Sequence, residues 1–190
     1  MTEILLFHHA HGQTEGFLAF ADELRAASHV VHVPDLYDGK TFAELADGIA
    51  YAKQVGFDVI IERGVTAAEG LPAEIVYAGF SLGVLPAQKL AQTRPGARGA
   101  LLLNACVPPS EFGTPWPDSV PLQIHAMDAD EWFQEDAAAA QELVAEVENV
   151  ELYLYPGDGH LFADRSLSEF DEEAAALLKR RILVFLKTVG

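Results

Sequence analysis

Residues 79–83 read Gly-Phe-Ser-Leu-Gly. They close the apolar run 74–80 (EIVYAGF) and open the helical pattern 82–93 (LGVLPAQKLAQT). A Gly-x-Ser-x-Gly placed between a strand and a helix is a sharp turn that lifts a serine hydroxyl clear of the sheet. The two glycines have a steric task, because side chains two places before and after the serine would strike the neighbouring strand and helix. The turn forces Ser81 into strained backbone geometry. Its hydroxyl then sits at a helix N-terminus, where the dipole favours negative charge. The N–H of Leu82 is expected to point toward an oxyanion developing there. The same five letters also arise by chance in glycine-containing turns, and the strand before and helix after them select the catalytic reading. Pro86 removes one amide from the new helix, which is tolerated near a first turn.

Outward from this turn, strand-length apolar runs alternate with helix-length segments. Strands are expected at 3–9, 29–34, 74–80, 99–105, 121–127 and 150–155, and helices at 15–27, 41–54, 57–69, 82–93, 131–147 and 167–188. Several strands are nearly continuous in apolar or β-branched residues, as befits strands covered on both faces. The alternation predicts an α/β fold: a mostly parallel sheet of about six or seven strands, with helices on both faces. Ser166 and Glu169 form an S-x-x-E pattern that predicts the start of the last helix. The Pro-rich stretch 107–117 (VPPSEFGTPWP) is the one long irregular loop. In such sheets ligands bind at the carboxyl ends of the strands, so the residues just after each strand are the ones to inspect.

The bulk properties narrow the field. A chain of 190 residues fits one domain, 1–190, and 50% hydrophobic with 22% charged residues describes a globular protein with a sizeable core. A formal net charge of −17 repels nucleic-acid phosphates and anionic membrane faces, so neither partner is expected. The one cysteine, Cys106, excludes an intrachain disulfide and reads as a buried structural thiol. The opening MTEILLFHH lacks a basic segment, so no signal peptide is expected, and no apolar run approaches membrane-spanning length. A cytoplasmic protein, a monomer or small homo-oligomer, is the expectation.

A nucleophilic serine needs a base, and the base needs an orienting carboxylate. With an elbow of this kind the chain order is serine, acid, histidine. Only His125 and His160 follow Ser81. His125 lies inside a strand and reads as a packed residue. His160 lies in YPGDGHLF (155–162), between the last strand and the last helix, and is the expected base. The acid should follow the strand 121–127. Asp130 is preferred, Asp128 stands second, and Glu131 belongs to the same acidic helix start.

The stretch FHHAHG (7–12) places His8, His9 and His11 after the first strand. His9 and His11 have the H-x-H spacing of a possible zinc site, but no further ligand motif continues it, so no metal is assigned. They are expected to line a pocket beside Ser81, the alternative being plain polar residues at a strand end. Phe112, Trp116 and Trp132 have two readings of equal weight: pocket walls, or cover for the core.

PDLYDGKTF (34–42), GFSLG (79–83), IHAMDADEWF (124–133) and YPGDGHLF (155–162) together resemble the dienelactone hydrolase family of α/β-hydrolases over almost the whole chain. The resemblance implies the α/β-hydrolase fold and no cofactor. It favours Asp130 as the acid, five residues after His125. It also places the second oxyanion-hole amide at Ala10, beside that of Leu82. The sequence departs from the family pattern in two ways. The family's cysteine nucleophile is Ser81 here, and the glutamate after its first strand has His9 as counterpart. The arginines that hold a substrate carboxylate have no clear equivalents, Arg63 being a weak candidate. The expectation is therefore a serine esterase for small substrates, with dienelactone itself disfavoured. A thioesterase or lysophospholipase-type hydrolase is the alternative, and a non-catalytic or metal-binding member of the fold is another.

Overall fold

The computed structural model describes residues 1–190. The apolar runs form β1 (Glu3–Phe7), β2 (Val30–His32), β3 (Val76–Phe80), β4 (Gly99–Leu103), β5 (Leu122–Met127) and β6 (Val150–Tyr155). They lie in one six-stranded sheet in the order β2-β1-β3-β4-β5-β6, every neighbouring pair parallel. The helices are α1 (Glu15–Ala26), α2 (Leu45–Val55), α3 (Phe57–Ala68), α4 (Val84–Thr93), α5 (Glu131–Glu146) and α6 (Glu172–Thr188).

Alternation along the strands divides the core in two. Val76, Ala78 and Phe80 of β3 join Phe17, Phe20 and Leu24 of α1 and Leu178 and Ile182 of α6 on one face. Tyr77 turns the other way, to Ile60 of α3, Val84 and Leu90 of α4, and the layer that α5 completes with Phe133 and Leu143. Burying both faces accounts for the continuous apolar runs.

Strand order sets where the site lies. The chain steps from β1 outward to β2, then returns to the other side of β1 as β3. The connections leave in opposite directions at this pair, so a crevice opens at the carboxyl ends of β1 and β3. Phe7 pairs with Gly79, which brings the histidine stretch and the serine turn side by side.

Among the boundaries that differ from the sequence expectation, two bear on the site. β1 stops at Phe7, so His8 and His9 have left the sheet. The last helix begins at Glu172, capped by the Asp171 side chain, which accepts from the Ala174 N–H at 2.9 Å. Ser166 and Glu169 work elsewhere: Ser166 donates its hydroxyl to Asp164, and Glu169 accepts from the Leu161 N–H. The S-x-x-E pattern is thus overridden by bonds that hold the loop before the helix, the Gly16 N–H adding a tertiary one to the Ser166 hydroxyl.

Candidate active site

Ser81 has φ +48°, a left-handed conformation that non-glycine residues seldom adopt. Its glycine neighbours explain how the turn closes. A Cβ on Gly79 would lie 2.1 Å from the Gly83 carbonyl oxygen, and one on Gly83 would lie 2.5 Å from that of Phe7. Ser81–Gly83 form one 3-10 turn that leads into α4, and Pro86 sits at the third position of that helix, where no hydrogen bond is lost.

Ser81 Oγ lies 2.8 Å from His160 Nε2, and His160 Nδ1 lies 2.7 Å from Asp130 Oδ2. The carboxylate contact requires the proton on Nδ1, which leaves the Nε2 lone pair to accept from the serine hydroxyl. Asp130 is fully buried and also caps α5, its Oδ1 accepting from the Trp132 N–H at 3.0 Å. Asp128 is exposed and does not meet the imidazole. Its carboxylate accepts from the Gly157 N–H at 3.1 Å and so braces the loop that carries His160.

The three histidines after β1 each fasten one side of the same loop. His8 donates from Nδ1 to the His9 carbonyl at 2.8 Å and accepts the Leu36 N–H at Nε2 at 3.0 Å, which defines a neutral ring. Burial pushes its pKa down to about 4. His11 donates from Nδ1 to the Phe42 carbonyl at 2.8 Å, and the Phe42 N–H returns a bond to the His11 carbonyl. His9 donates from Nε2 to Asp164 at 2.8 Å. Ala10, at the centre of this loop, is buried and gives its N–H to no acceptor in the protein.

Asp164 went unnoticed in the sequence. It is buried, and besides His9 it accepts from Thr14 Oγ1 at 2.5 Å, the Ser166 hydroxyl at 2.6 Å and the Ser166 N–H at 2.9 Å. Burial opposes its ionisation, but the bonds from His9, Ser166 and Thr14 prevail and hold its carboxyl well below the usual carboxylate range. Burial likewise lowers the pKa of His9 against the pull of Asp164. The sequence signal was slight: one acid four residues after His160, with two of its partners, His9 and Thr14, 150 or more residues away.

The profile of the dienelactone hydrolase family matches residues 1–190. The chain belongs to this family. Membership supports hydrolase activity, and solved structures agree on the fold. A Klebsiella pneumoniae protein assigned as a dienelactone hydrolase superposes with TM-score 0.75 at 17% identity, over 98% of this chain and 87% of the other. The dienelactone hydrolase-like promiscuous phosphotriesterase P91, from metagenomic libraries, gives 0.75 at 14%, over 100% and 87%. A cold-adapted esterase from an Arctic intertidal metagenomic library gives 0.63 at 15%, over 94% and 82%. No curated protein sequence matches the chain significantly.

The other sequence candidates divide within this dienelactone hydrolase fold. Trp132 is half exposed, with its ring centroid 6.0 Å from that of His160, at the rim of the site. Trp116 belongs to the core, where its indole N–H donates to the Val120 carbonyl at 2.7 Å, and it borders a surface cavity with Pro109 and Leu143 that none of Ser81, Asp130 and His160 lines. Phe112 is half-buried at the end of a short 3-10 turn, facing a surface cavity with Leu85 and Val107. His9 and His11 are buried with one nitrogen each committed, and no group of three or more His, Cys, Asp or Glu side chains is placed to hold a metal ion. Nδ1 of His9 and Nε2 of His11 have no partner. Arg63 donates to the Leu36 carbonyl at 2.6 Å and pairs with Asp38 at 2.9 Å, so its guanidinium is engaged by the loop after β2. His125 is packed between β-sheet partners, bonded to Tyr155 and Gln123, and burial pushes it down to about 3. Burial pushes the Cys106 thiol up to about 12, which leaves it unreactive at neutral pH. Asn104 was also missed. It follows β4 at φ +68°, next to the serine turn, and its buried amide has no partner.

Proposed function

We propose that this protein hydrolyses carboxylic esters of small molecules through an acyl-serine intermediate. The observation that carries the reading is the unbroken relay from Ser81 Oγ through His160 to Asp130, begun at a serine of φ +48°. Ser81 attacks the acyl carbon while His160 Nε2 takes the hydroxyl proton. The C–O bond to the leaving alcohol then breaks, and His160 returns the proton to that oxygen. Water repeats the sequence to free the acid. Asp130, buried, holds His160 in the useful tautomer and stabilises its cation. The Leu82 and Ala10 amides receive the oxyanion, each donor worth about 3–4 kcal/mol in comparable sites. Leu82 lies in a first helical turn, where amides have no intrahelical acceptor, and Ala10 N–H is uncommitted. Esterases of similar fold, the Arctic enzyme among them, are consistent with this chemistry.

A fluorophosphonate probe tests the reading. The expected result is a single adduct mapped by mass spectrometry to Ser81, together with an initial burst of nitrophenol from p-nitrophenyl acetate. A folded protein that shows neither adduct nor turnover would overturn it. Matched oxygen esters and thioesters then separate an esterase from a thioesterase.

A further inference from the structure

A cavity of about 560 Å³ lies between the start of α3, the first turns of α4 and the segment after β4. Its position ties it to the serine. Leu85, one helical turn beyond Ser81, lines it beside Ile61 and Val107. The wall is sealed by Gln88, which donates to the Val107 carbonyl at 2.7 Å and accepts the Val107 N–H at 3.2 Å. Phe57 lines the same cavity and is 41% exposed, an aromatic ring that no core residue covers. The rim is acidic: Asp58, Glu62 and Glu111 face a single Lys89. The guanidinium of Arg63 is already spent on Leu36 and Asp38.

We propose that this cavity receives the acyl chain of the ester, and that it selects neutral or cationic chains against those ending in a carboxylate. The inference rests on Ser81 being the nucleophile. The leaving group must face His160 to collect its proton, which leaves the acyl part to extend the other way, along α4. Neither the serine turn nor the His160 loop lines the cavity itself; Leu85, one turn along α4 from Ser81, joins that turn to the cavity. Apolar walls favour burial of the chain's methylene groups. Three carboxylates in a half-enclosed space repel a fourth and attract an ammonium group.

The test keeps the p-nitrophenol leaving group fixed and varies the acyl chain: acetate, hexanoate, 6-aminohexanoate and the monoester of adipate. In the wild type, kcat/KM for hexanoate should exceed that for acetate by about tenfold or more. Adipate should fall at least about tenfold below hexanoate, with 6-aminohexanoate at or above hexanoate. In the double variant Glu62→Lys/Glu111→Lys, the adipate-to-hexanoate ratio should rise at least about tenfold. A control with the same charge change away from the cavity, Glu142→Lys/Glu148→Lys, should leave that ratio unmoved. Acetate cleavage with no discrimination among the longer chains, or an equal shift in the control, overturns the cavity proposal alone. Absence of both acetate cleavage and Ser81 labelling overturns the esterase reading instead.

Discussion

Two buried histidine–aspartate pairs stand near each other at the carboxyl edge of this sheet, and their second nitrogens differ. His160 meets Asp130 at 2.7 Å through Nδ1 and offers Nε2 to a serine hydroxyl. His9 meets Asp164 at 2.8 Å through Nε2, and its Nδ1 meets nothing. The carboxylates differ too. Asp130 divides its charge between the imidazole and one helix-capping amide. Asp164 spreads its charge over an imidazole, two hydroxyls and an amide, and so joins the loop after β1 to the start of α1 and the loop after His160. The pairing chemistry is the same in both. What separates a proton acceptor from a brace is the group that the far nitrogen reaches.

The sharpest way to break this contrast is to remove each histidine and the serine in turn. Ser81→Ala and His160→Ala should each lower kcat by on the order of 10⁴–10⁶, and the double variant no further, because residues of one relay act as a unit. His9→Ala should cost far less, with its loss adding to that of other substitutions. A His9→Ala variant as inactive as His160→Ala, at unchanged fold by circular dichroism, would erase the distinction.

Asp130 tests the two jobs of one carboxylate. Asp130→Asn should lower kcat by about 10⁴, because the imidazole loses its tautomeric anchor. Its melting temperature should barely move, since asparagine caps helices as well as aspartate does. Asp130→Ala should match the activity loss and destabilise the fold as well, by about 1 kcal/mol for the missing cap and a further ~1–3 kcal/mol for the buried imidazole N–H left without its acceptor. Steady-state kinetics beside thermal melts separate the two effects.

Asp164→Ala should show the opposite balance. It leaves His9, Thr14 and Ser166 without their acceptor, and breaking a buried pair of this kind costs about 3–5 kcal/mol of stability. In the molecules that stay folded, kcat should fall by no more than about tenfold, the scale of a loosened Ala10 amide rather than a lost base. Urea unfolding and kcat per labelled Ser81 are the measurements. A stable variant with a 10⁴-fold loss would make Asp164 part of the relay.

These two regions also differ in how far the sequence revealed them. The turn at 79–83 was legible because its glycines, strand and helix are contiguous, and chain order then pointed to His160. The preference for Asp130 over Asp128 drew its support from family resemblance, because local spacing separates two acids two residues apart only weakly. The Asp164 network was illegible because its members come from positions 9, 14, 164 and 166, and only packing of α1 against the sheet gathers them. Trp116 could be core or pocket until the fold gave its indole an acceptor at Val120. The fold itself was readable for a related reason. Continuous apolar strands and alternating helices encode a doubly covered parallel sheet locally, while the start of α6 depended on a distant bond from Gly16 to Ser166 and a loop bond from Leu161 to Glu169.

A third buried imidazole sharpens the comparison with the smallest effect. His8 has no carboxylate within hydrogen-bond distance, Asp35 lying 3.7 Å away, and its two nitrogens serve a carbonyl and an amide. Burial lowers its pKa from 6.5 to about 4 in the folded chain, against the bond it makes to the His9 carbonyl. In the unfolded chain it titrates near the ordinary value of about 6.5. The unfolded state therefore binds the extra proton between about pH 6.5 and 4, and stability falls as pH falls through that window. The contribution is intact above about pH 6.5, and about 3 kcal/mol of it is lost by the time pH 4 is reached. His8→Gln keeps one donor and one acceptor but cannot take up the proton. Its unfolding free energy, measured in urea at pH 7 and pH 5, should drop by about 2 kcal/mol less than that of the wild type. An equal drop in both proteins would mean that the His8 ring already carries its charge at pH 5 in the folded state. The bond from Leu36 N–H to Nε2 could not then persist.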